Sequence, residues 1–581
     1  MPAPIMSLSR RLSEHADKQP DVLALTRLGP DGEPASVLDY GGLWQRVGGL
    51  ASRLVETGAN GKPVLIPEHN GIDYVVGYLA CIRSGAIAVT AHAPRANDRS
   101  GRLDSIIGDA RPVCALASTD TIGKCLDIGS PLLRELTFHA TDDPALDAEG
   151  DADLPEVDLD SIAMLQYTSG STSSPRAVQV THGNLIANLD VMRSMFYRDG
   201  SVGTVCWLPL FHDMGLIGMV MTSLVSGITA NLMAPEEFVM RPIRWLRAIS
   251  KTRSEYSGGP NFSFSLCVER TSPEERAELD LSCWKIALNG AEAIHPRTIE
   301  RFVDVFEPCG FDVSAMQPCY GLAESTLIVA TRVPGSPLGF KHISSNALAD
   351  NRLVTCEAGA VDARRITTCG PPISNHDVRI LDAAGAFTGS GGEVGEICVR
   401  GPSVARGYRQ GADADANVFV DSLDGASGPW LRTGDLGGFL DDELVIAGRL
   451  KDLIIVGGAN HHPQDLERTA EQAHDDIASG GCAAFAVQEE ALHGGERVVL
   501  LVELVRERSR ALRSRPEELD DVQADITSKV RSAISSEHSV ALSRCIIIKS
   551  GGIPRTTSGK VRRAAAAAAW RRGELPLIDG T

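Results

Sequence analysis

The sequence predicts an α/β multidomain protein: a large N-terminal domain of layered α/β subdomains plus a small β unit, and an α+β C-terminal domain. Helix-like stretches alternate with short apolar, β-branched runs through the first 330 residues, which is typical of layered α/β architecture. From about residue 377 to 446 the pattern changes to hairpin-like pieces with Gly and Asp at the turns. The chain then restarts with a Pro-initiated helix at 463–474.

The alternation is clearest near the N-terminus. Residues 42–57 predict a helix, "PVLIPE" a strand, "DYVVGYLACIRSG" a second helix and "AIAVTA" a second strand. The most apolar long segment, residues 216–234, is interrupted by five hydroxyl or amide side chains. These interruptions favour a buried helix followed by a strand over a membrane span.

The C-terminal part predicts a domain of its own. After the helix at 463–474 come the strands "CAAFAV" and "RVVLLVELV", a polar helix, the strand "CIIIKS" and a basic helix. A piece of this size is within the usual range of one domain. The junction is therefore predicted at 448–452, between residues 1–447 and residues 453–581.

Composition excludes several classes of function. A formal charge of -19, from 75 acidic and 56 basic residues, argues against a nucleic-acid surface. The 13 cysteines are scattered without CxxC or zinc-ligand spacing, so neither a disulfide framework nor a structural metal is expected. The N-terminus carries charges where a signal peptide needs an apolar stretch. We therefore expect a soluble, cytoplasmic protein with reduced thiols.

The stretch "YTSGSTSSPRAVQV", residues 167–180, predicts a loop between two strands. A Walker loop leads instead into a helix whose N-terminus faces the phosphates. Backbone N–H groups in a Gly/Ser turn can still surround an anion, and hydroxyl side chains add donors. Taken alone, the stretch is equally compatible with a polar hairpin loop.

Three other clusters carry chemistry of the same kind. In "YGLAEST", Tyr320 offers an aromatic face for a base, Gly321 allows close approach, and Glu324 is an oxygen ligand for a hard cation. In "LRTGDLG", Asp435 is predicted in a turn, where its carboxylate can accept from a ribose diol. In "TTSGKVRR", Lys560 is predicted at a loop tip before a basic helix. Each cluster also has a purely structural interpretation, but their joint occurrence favours a nucleotide site.

In this order the motifs resemble the adenylate-forming superfamily of acyl-CoA synthetases, luciferases and peptide-synthetase adenylation domains. The resembling elements are "YTSGSTSSPRAV", "NGAE", "YGLAEST", "WLRTGDLG", "GRLKDLIIVGGANHHPQDLE" and "IPRTTSGKVRR". Within the superfamily, the fatty acyl-AMP ligase branch is most similar, through "LQYTSGST", "WLPLFHDMGL", "SGGPNFSFSL" and "HPQDLE". An insertion at about 333–366, containing "GFKHISSNALADNRLV", also resembles that branch.

The resemblance implies a role for each motif. Residues 1–447 would bind ATP and the acyl group, 448–452 would be the hinge with Lys451 and Asp452, and 453–581 would be a mobile domain. The implied nucleotide residues are Thr168, Ser169, Gly170, Ser171 and Thr172 for the phosphates, Gly290, Ala291, Glu292, Tyr320 and Gly321 for adenine, and Asp435 and Arg449 for the ribose. The implied catalytic residues are Glu324, which would hold Mg²⁺, Lys560, which would reach the site during adenylation, and His212, beside the carboxylate. The candidate acyl pocket consists of Phe211, Asp213, Met214, Pro260, Asn261 and Phe262.

The implied function is ATP-dependent activation of a hydrophobic carboxylic acid to acyl-AMP, with release of pyrophosphate. The acyl group would then pass to the phosphopantetheine thiol of an acyl carrier protein, or to a separate acyltransferase partner. Two alternatives stay open: an acyl-CoA synthetase that uses free CoA, and a non-catalytic nucleotide-dependent binding protein. The acid could be a long-chain fatty, polyketide or terpenoid acid. The sequence departs from the common phosphate loop at Ser173, Arg176 and Ala177, and Arg176 is not expected to replace a Walker lysine.

Overall fold

The computed structural model describes residues 6–94, 101–147, 154–168, 176–198, 200–389, 391–411, 416–456, 459–488, 496–538, 540–556 and 559–578. The chain divides into two compact units. Unit 1 comprises Met1–Leu338, Gly370–Asp377 and Val399–Leu431, and unit 2 comprises Gly339–Cys369, Val378–Cys398 and Arg432–Thr581. The predicted junction at 448–452 falls inside unit 2, so the mobility of residues 453–581 stays a prediction.

The elements follow the predicted alternation. The strands are β1 (Leu23–Leu28), β2 (Pro34–Asp39), β3 (Pro63–Glu68), β4 (Ile87–His92), β5 (Cys114–Ala117), β6 (Phe138–Ala140), β7 (Ile162–Thr168), β8 (Arg176–Thr181), β9 (Gly203–Cys206), β10 (Thr229–Leu232), β11 (Tyr256–Pro260), β12 (Ile286–Gly290), β13 (Met316–Gly321), β14 (Ile328–Thr331), β15 (Phe340–Ser344), β16 (Ala363–Thr367), β17 (Asp377–Leu381), β18 (Gly395–Arg400), β19 (Phe419–Leu423), β20 (Ala426–Leu440), β21 (Glu443–Arg449), β22 (Ile454–Val456), β23 (Ala459–His461), β24 (Ile477–Gln488), β25 (Glu496–Leu504) and β26 (Leu542–Ile548).

The α-helices are α1 (Leu8–Lys18), α2 (Tyr40–Glu56), α3 (Ile72–Ser84), α4 (Arg102–Ala110), α5 (Thr119–Ile128), α6 (Pro131–Arg134), α7 (His182–Phe196), α8 (Thr222–Val225), α9 (Pro235–Met240), α10 (Ile243–Thr252), α11 (Asn261–Glu269), α12 (Pro273–Arg276), α13 (Pro296–Phe306), α14 (Ser345–Ala349), α15 (Pro463–Ala473), α16 (Arg506–Ser514), α17 (Leu519–His538) and α18 (Arg563–Arg571). A π-helix covers Met214–Met221, and short 3₁₀ turns include Ala323–Ser325 and Leu450–Asp452. The predicted layered α/β architecture is confirmed.

Unit 1 contains two large sheets. One has the order β14-β13-β12-β11-β9-β10-β1-β2 and the other the order β6-β5-β3-β4-β7-β8. Strands β9, β11, β12 and β13 are neighbours and run parallel. The side chains of β11 and β12 are all buried, as expected for parallel strands covered on both faces.

An aromatic cluster stabilises the helices next to the eight-stranded sheet. The rings of Trp245 and Trp284 meet edge to face at 5.2 Å, and those of Phe264 and Phe302 at 5.0 Å. These residues belong to α10, α11 and α13 and to the approach to β12. Such edge-to-face pairs contribute beyond the area that they bury, so the helix that begins at Asn261 has a firm support.

Unit 2 has separate small cores. Strands β24, β25 and β26 form one sheet, on which α15 and α17 bury Leu466, Ile526 and Val530. The segment β15-α14-β16 lies in the predicted insertion. Its residues Ile343 and Leu348 share a core with residues of β20 and β21. The insertion is therefore a packed element of unit 2.

The apolar segment at 216–234 folds as the predicted helix and strand. Its first part has π geometry, over Met214–Met221, which the sequence did not indicate. Among the described residues, no helix combines the length and apolarity that crossing a bilayer requires.

The buried His182 gives a pH-dependent stability. It is 5% exposed at the first position of α7, and its Nε2 has no hydrogen-bond partner in the described part of the chain. Burial lowers the pKa of His182 from 6.5, the ordinary value of a histidine, to about 4. Because the unfolded chain then binds the proton more tightly, stability is complete above pH 6.5 and falls between pH 6.5 and pH 4.

We expect the His182→Gln variant to lose this part of the pH dependence. Lowering the pKa from 6.5 to about 4 corresponds to about 3 kcal/mol of unfolding free energy between pH 7 and pH 4. Urea unfolding of the full-length protein, with the transition of unit 1 followed at pH 7 and at pH 4, measures this difference in unfolding free energy. Groups common to both proteins cancel in the comparison. An equal loss of stability in the wild type and the variant would contradict the assignment.

Candidate active site

The chain between β7 and β8 is the candidate phosphate loop, and it joins two strands, as the sequence predicts. Strands β7 and β8 are antiparallel, with Thr168 opposite Arg176. Thr168 is half-buried at the end of β7, and Arg176 begins β8. The predicted phosphate ligands Ser169, Gly170, Ser171 and Thr172 lie outside the described residues, and their roles stay predictions.

One segment of the chain, residues 405–410, runs along β8; we call it the strap segment. It forms an antiparallel bridge between Tyr408 and Val178. Its backbone bonds are Arg406 N to Gln179 O (3.0 Å), Gln179 N to Gly407 O (2.9 Å), Arg409 N to Ala177 O (2.9 Å) and Ala405 N to Glu324 O (2.9 Å). The strap segment therefore connects the strand after the phosphate loop with the turn that carries Glu324.

Glu324 lies half-buried in the 3₁₀ turn Ala323–Ser325. The Tyr408 hydroxyl donates a hydrogen bond to its Oε1 at 2.7 Å. Arg176 places its guanidinium carbon 5.3 Å from the centre of the Tyr408 ring. Burial, followed by the neighbouring Glu324 carboxylate, raises the pKa of Tyr408, so its hydroxyl stays protonated and acts as the donor.

The candidate adenine residues follow β12 and β13. At Gly290 a Cβ would lie 2.6 Å from the Cys319 Sγ, so glycine is required there. Ala291 adopts a positive φ of 65°, which is uncommon for a non-glycine residue. The Glu292 Oε1 accepts a hydrogen bond from the Phe262 N–H at 2.6 Å. Glu292 therefore also fixes the start of α11.

Tyr320 and Gly321 end strand β13. Tyr320 is 8% exposed. A Cβ at Gly321 would overlap the carbonyl oxygen of Leu327, so the tight turn toward β14 requires glycine. The close approach seen at Gly321 is to the chain's own backbone, and its approach to a nucleotide stays a prediction.

The candidate carboxylate loop follows β9. The Asp213 Oδ1 accepts from the Met214 N–H at 2.7 Å and caps the π-helix. The Phe211 carbonyl accepts from the Gln166 Nε2 at 2.7 Å, which ties the loop to β7. The His212 ring lies 5.0 Å from the Phe211 ring. Phe211, His212, Asp213 and Met214 are thus held by the strand before the phosphate loop and by a π-helix, a geometry frequent at functional sites.

The remaining pocket candidates begin α11. Pro260 ends β11, and Asn261 and Phe262 follow directly. Both ends of the Asn261 amide bond within the protein: Nδ2 donates to Thr298 Oγ1, and Oδ1 accepts from the His295 N–H, both at 3.2 Å. These contacts favour a positioning role for Asn261, and its place in an acyl pocket stays a prediction.

The sequence analysis missed Trp207 and Tyr408. Trp207 is buried, with its ring centre 6.3 Å from that of Phe262, and its Nε1 has no hydrogen-bond partner among the described residues. It stands in the quoted motif "WLPLFHDMGL", which was the available signal. For Tyr408 the only signal was an aromatic residue after "VARG".

Taken together, these residues follow four neighbouring strands. The carboxylate loop follows β9, the start of α11 follows β11, Gly290 ends β12, and Glu324 follows β13. Because these strands are parallel, their carboxyl ends share one edge of the sheet. Ligands of open α/β sheets bind in the crevice beyond that edge.

In unit 2 the two candidate ribose residues form a pair. Asp435 and Arg449 are opposite each other on β20 and β21, and the Asp435 Oδ1 lies 3.1 Å from the Arg449 Nε. The prediction that Asp435 lies in a turn is wrong. The ladder between β20 and β21 begins with Asp435 and runs to Leu440, and the turn comes at Asp441 and Asp442, both with positive φ.

The candidate hinge is bonded to the segment after Lys560. Lys451 and Asp452 lie in the 3₁₀ turn Leu450–Asp452. The Asp452 Oδ2 is 3.3 Å from Arg563 Nη1, and Arg563 also pairs with Glu467 at 2.6 Å. Lys560 is half-buried in a turn before α18, where its N–H donates to the Thr556 Oγ1 at 3.0 Å. The predicted loop before the basic helix is confirmed, and the catalytic role of Lys560 stays a prediction.

Comparison with models of known protein families gives two matches. Residues 12–409 match the family model of AMP-binding enzymes. Residues 451–580 match the model of the AMP domain of Disco-interacting protein 2-like proteins.

Individual relatives cover nearly the whole chain. The medium-chain-fatty-acid–[acyl-carrier-protein] ligase JamA of Moorena producens is 35% identical over 93% of this chain and 90% of its own. The long-chain-fatty-acid–AMP ligase FadD26 of Mycobacterium marinum is 34% identical over 100% of both chains. A fatty acyl-adenylate ligase from L. pneumophila, solved with acyl adenylate and pyrophosphate, is 31% identical, covers 98% of this chain and 97% of its own, and superposes with a TM-score of 0.75. The chain therefore belongs to the AMP-binding enzymes of the adenylate-forming superfamily, in the fatty acyl-AMP ligase branch.

Proposed function

We propose that this ligase uses ATP to activate a hydrophobic carboxylic acid as its acyl-adenylate and passes the acyl group to the phosphopantetheine thiol of an acyl carrier protein. The observation that carries the proposal is the shared sheet edge, where four parallel strands end in the carboxylate loop, the start of α11, the Gly290 turn and the Glu324 turn. It provides adjoining places for an acid and a nucleotide.

Adenylation forms a bond between a carboxylate oxygen and the α-phosphorus of ATP. The bond from that phosphorus to the α,β-bridging oxygen breaks, and pyrophosphate leaves. Two anions must approach each other, so positioned cations lower the barrier. Lys560 supplies one such charge by the implied role, and the Gly/Ser loop supplies donors.

Glu324 has the properties expected of a magnesium ligand. Mg²⁺ in nucleotide sites usually takes one or two carboxylates, substrate phosphates and waters. Among the described residues no group of three or more His, Cys, Asp or Glu side chains could hold a metal, whereas a single half-buried carboxylate lies beside the strand that follows the phosphate loop. Bound Mg²⁺ would neutralise phosphate charge during the attack.

In the second step the thiol gives its proton to water, and its sulfur attacks the acyl carbonyl carbon. The bond from that carbon to the oxygen on phosphorus breaks, and AMP leaves with this oxygen. Swinging of residues 453–581 about 448–452 would withdraw Lys560 and admit the thiol. The carrier-protein acceptor is supported by the relative named an acyl-carrier-protein ligase and by the packed insertion. A separate acyltransferase partner or free CoA is the alternative acceptor.

A cytoplasmic location is part of the proposal. None of the 13 cysteines, all of which lie within the described residues, is in a disulfide bond, as expected for a reducing compartment.

The first experiment tests adenylation and Lys560. We expect ATP/pyrophosphate exchange stimulated by apolar acids, reduced at least about 100-fold in Lys560→Ala because a positioned transition-state charge is lost. Lys549→Ala removes another partly buried lysine of the same unit and is the matched control. Absence of exchange with fatty, polyketide and terpenoid acids alike would refute the proposed activity.

A second experiment tests the ribose pair. Asp435→Asn keeps the volume but removes the charge, so we expect the KM for ATP to rise about 10-fold, the value of a hydrogen bond to a charged group. The control is Asp441→Asn on the same hairpin, whose side chain is 75% exposed and pairs with Lys341. Equal KM values for the two variants would rule out the ribose role.

A third experiment identifies the acceptor. Purified enzyme is given the acid, ATP and either CoA or a phosphopantetheinylated carrier protein, and thioester products are separated by mass spectrometry. We expect acyl-carrier product, with acyl-CoA at least about 10-fold slower, a difference of about 1.4 kcal/mol in barrier. Comparable acyl-CoA formation would instead establish an acyl-CoA synthetase.

A further inference from the structure

We propose that Tyr408 is a positioning residue for the candidate Mg²⁺ ligand Glu324, and that the strap segment couples this carboxylate to β8, the strand after the candidate phosphate loop. The inference deepens the proposed function and rests on its assignment of Glu324. It assigns a role to Tyr408 and Arg176 that the sequence motifs alone did not suggest.

The first support is the bond between the two side chains. The Tyr408 hydroxyl donates to one oxygen of Glu324, Oε1, at 2.7 Å. An ionised carboxylate has two oxygens with about four acceptor positions in total. The bond therefore fixes the rotation of the carboxylate and uses only part of its capacity, which leaves acceptor positions for a cation.

The second support is that Tyr408 is itself held in place. Its side chain is 4% exposed. The Phe419 ring meets it at 5.4 Å, and the Arg176 guanidinium carbon lies 5.3 Å from its centre. A cation over an aromatic face is attracted to it. Arg176 is the first described residue after the phosphate loop, and it thus helps to hold the Tyr408 ring in place.

The third support is the backbone around Glu324. The N–H of Ala405 donates to the Glu324 carbonyl at 2.9 Å, so the strap segment holds both the main chain and the side chain of this residue. Two residues later, Thr326 has a positive φ of 66°, which is strained for a β-branched residue. Its Oγ1 donates to the Ser403 carbonyl at 2.6 Å. The turn is therefore imposed by residues 403–408.

Orientation of a ligating carboxylate changes metal affinity. Loss of a hydrogen bond that orients a metal ligand typically costs about 10- to 100-fold in affinity or activity. The test is therefore the metal dependence of nucleotide binding, which a merely structural role of Tyr408 would not change.

The experiment measures ATP dissociation constants by calorimetry, without acid substrate, in Mg²⁺ and in EDTA. The ratio of the two constants isolates the metal contribution. We expect Tyr408→Phe, which keeps the ring, to lower this ratio about 10-fold, with ATP binding in EDTA unchanged.

The matched control is Tyr40→Phe. Tyr40 is also buried, lies outside the nucleotide motifs, and its hydroxyl donates to the Ile228 carbonyl at 3.0 Å. We expect this variant to keep the wild-type ratio. A ratio in Tyr408→Phe equal to that of the wild type would overturn the inference.

A double-mutant cycle with Glu324→Gln separates positioning from general damage. If Tyr408 acts through Glu324, Tyr408→Phe leaves the ratio unchanged in the Glu324→Gln background. An equal loss in both backgrounds would overturn the inference. These binding results are independent of exchange activity: wild-type protein that binds Mg²⁺ and ATP but activates no acid would contradict the proposed function alone.

Discussion

The hydrogen bonds from the strap segment, residues 405–410, to β8 and to the Glu324 turn are the constraint on which the candidate site depends. The phosphate loop is not followed directly by a helix, so no helix dipole at its end fixes the phosphates. The strands before and after it, β7 and β8, pair with each other, and β8 is also held by the strap segment. Because the same segment bonds Glu324, β8 and the candidate metal ligand share one support.

The two units carry different groups that the proposed chemistry requires. Unit 1 supplies a rigid sheet edge, backed by the aromatic cluster around Trp245 and Trp284, where an acid and a nucleotide can be held side by side. Unit 2 carries Asp435, Arg449 and Lys560, which the motifs assign to the ribose and to adenylation. There, Arg563 bonds both Asp452 in the candidate hinge and Glu467 in α15. This network gives the segment that carries Lys560 a fixed relation to the hinge turn.

Local sequence patterns were sufficient to predict most of the helices and strands and to identify the motifs and their order. Strands such as β3 and β12 and helices such as α2 follow from apolar periodicity between Gly and Pro residues. Asp435 was predicted in a turn because Gly-Asp is a common turn pair, whereas the ladder from β20 to β21 begins at this residue. Tyr408 could not be predicted, since its partner Glu324 is 84 residues away along the chain. Pairings of that kind depend on tertiary structure, which one sequence does not display.

We expect nucleotide binding to act on β8 and on Glu324 together, because the strap segment bonds both. Hydrogen exchange of backbone amides, followed by mass spectrometry with and without ATP and Mg²⁺, tests it most directly. The amides of Gln179, Ala405, Arg406 and Arg409 donate the bonds concerned. We expect all four to exchange more slowly when Mg²⁺ and ATP are bound. Protection of β7 and β8 with unchanged exchange at 405–410 would contradict the claim.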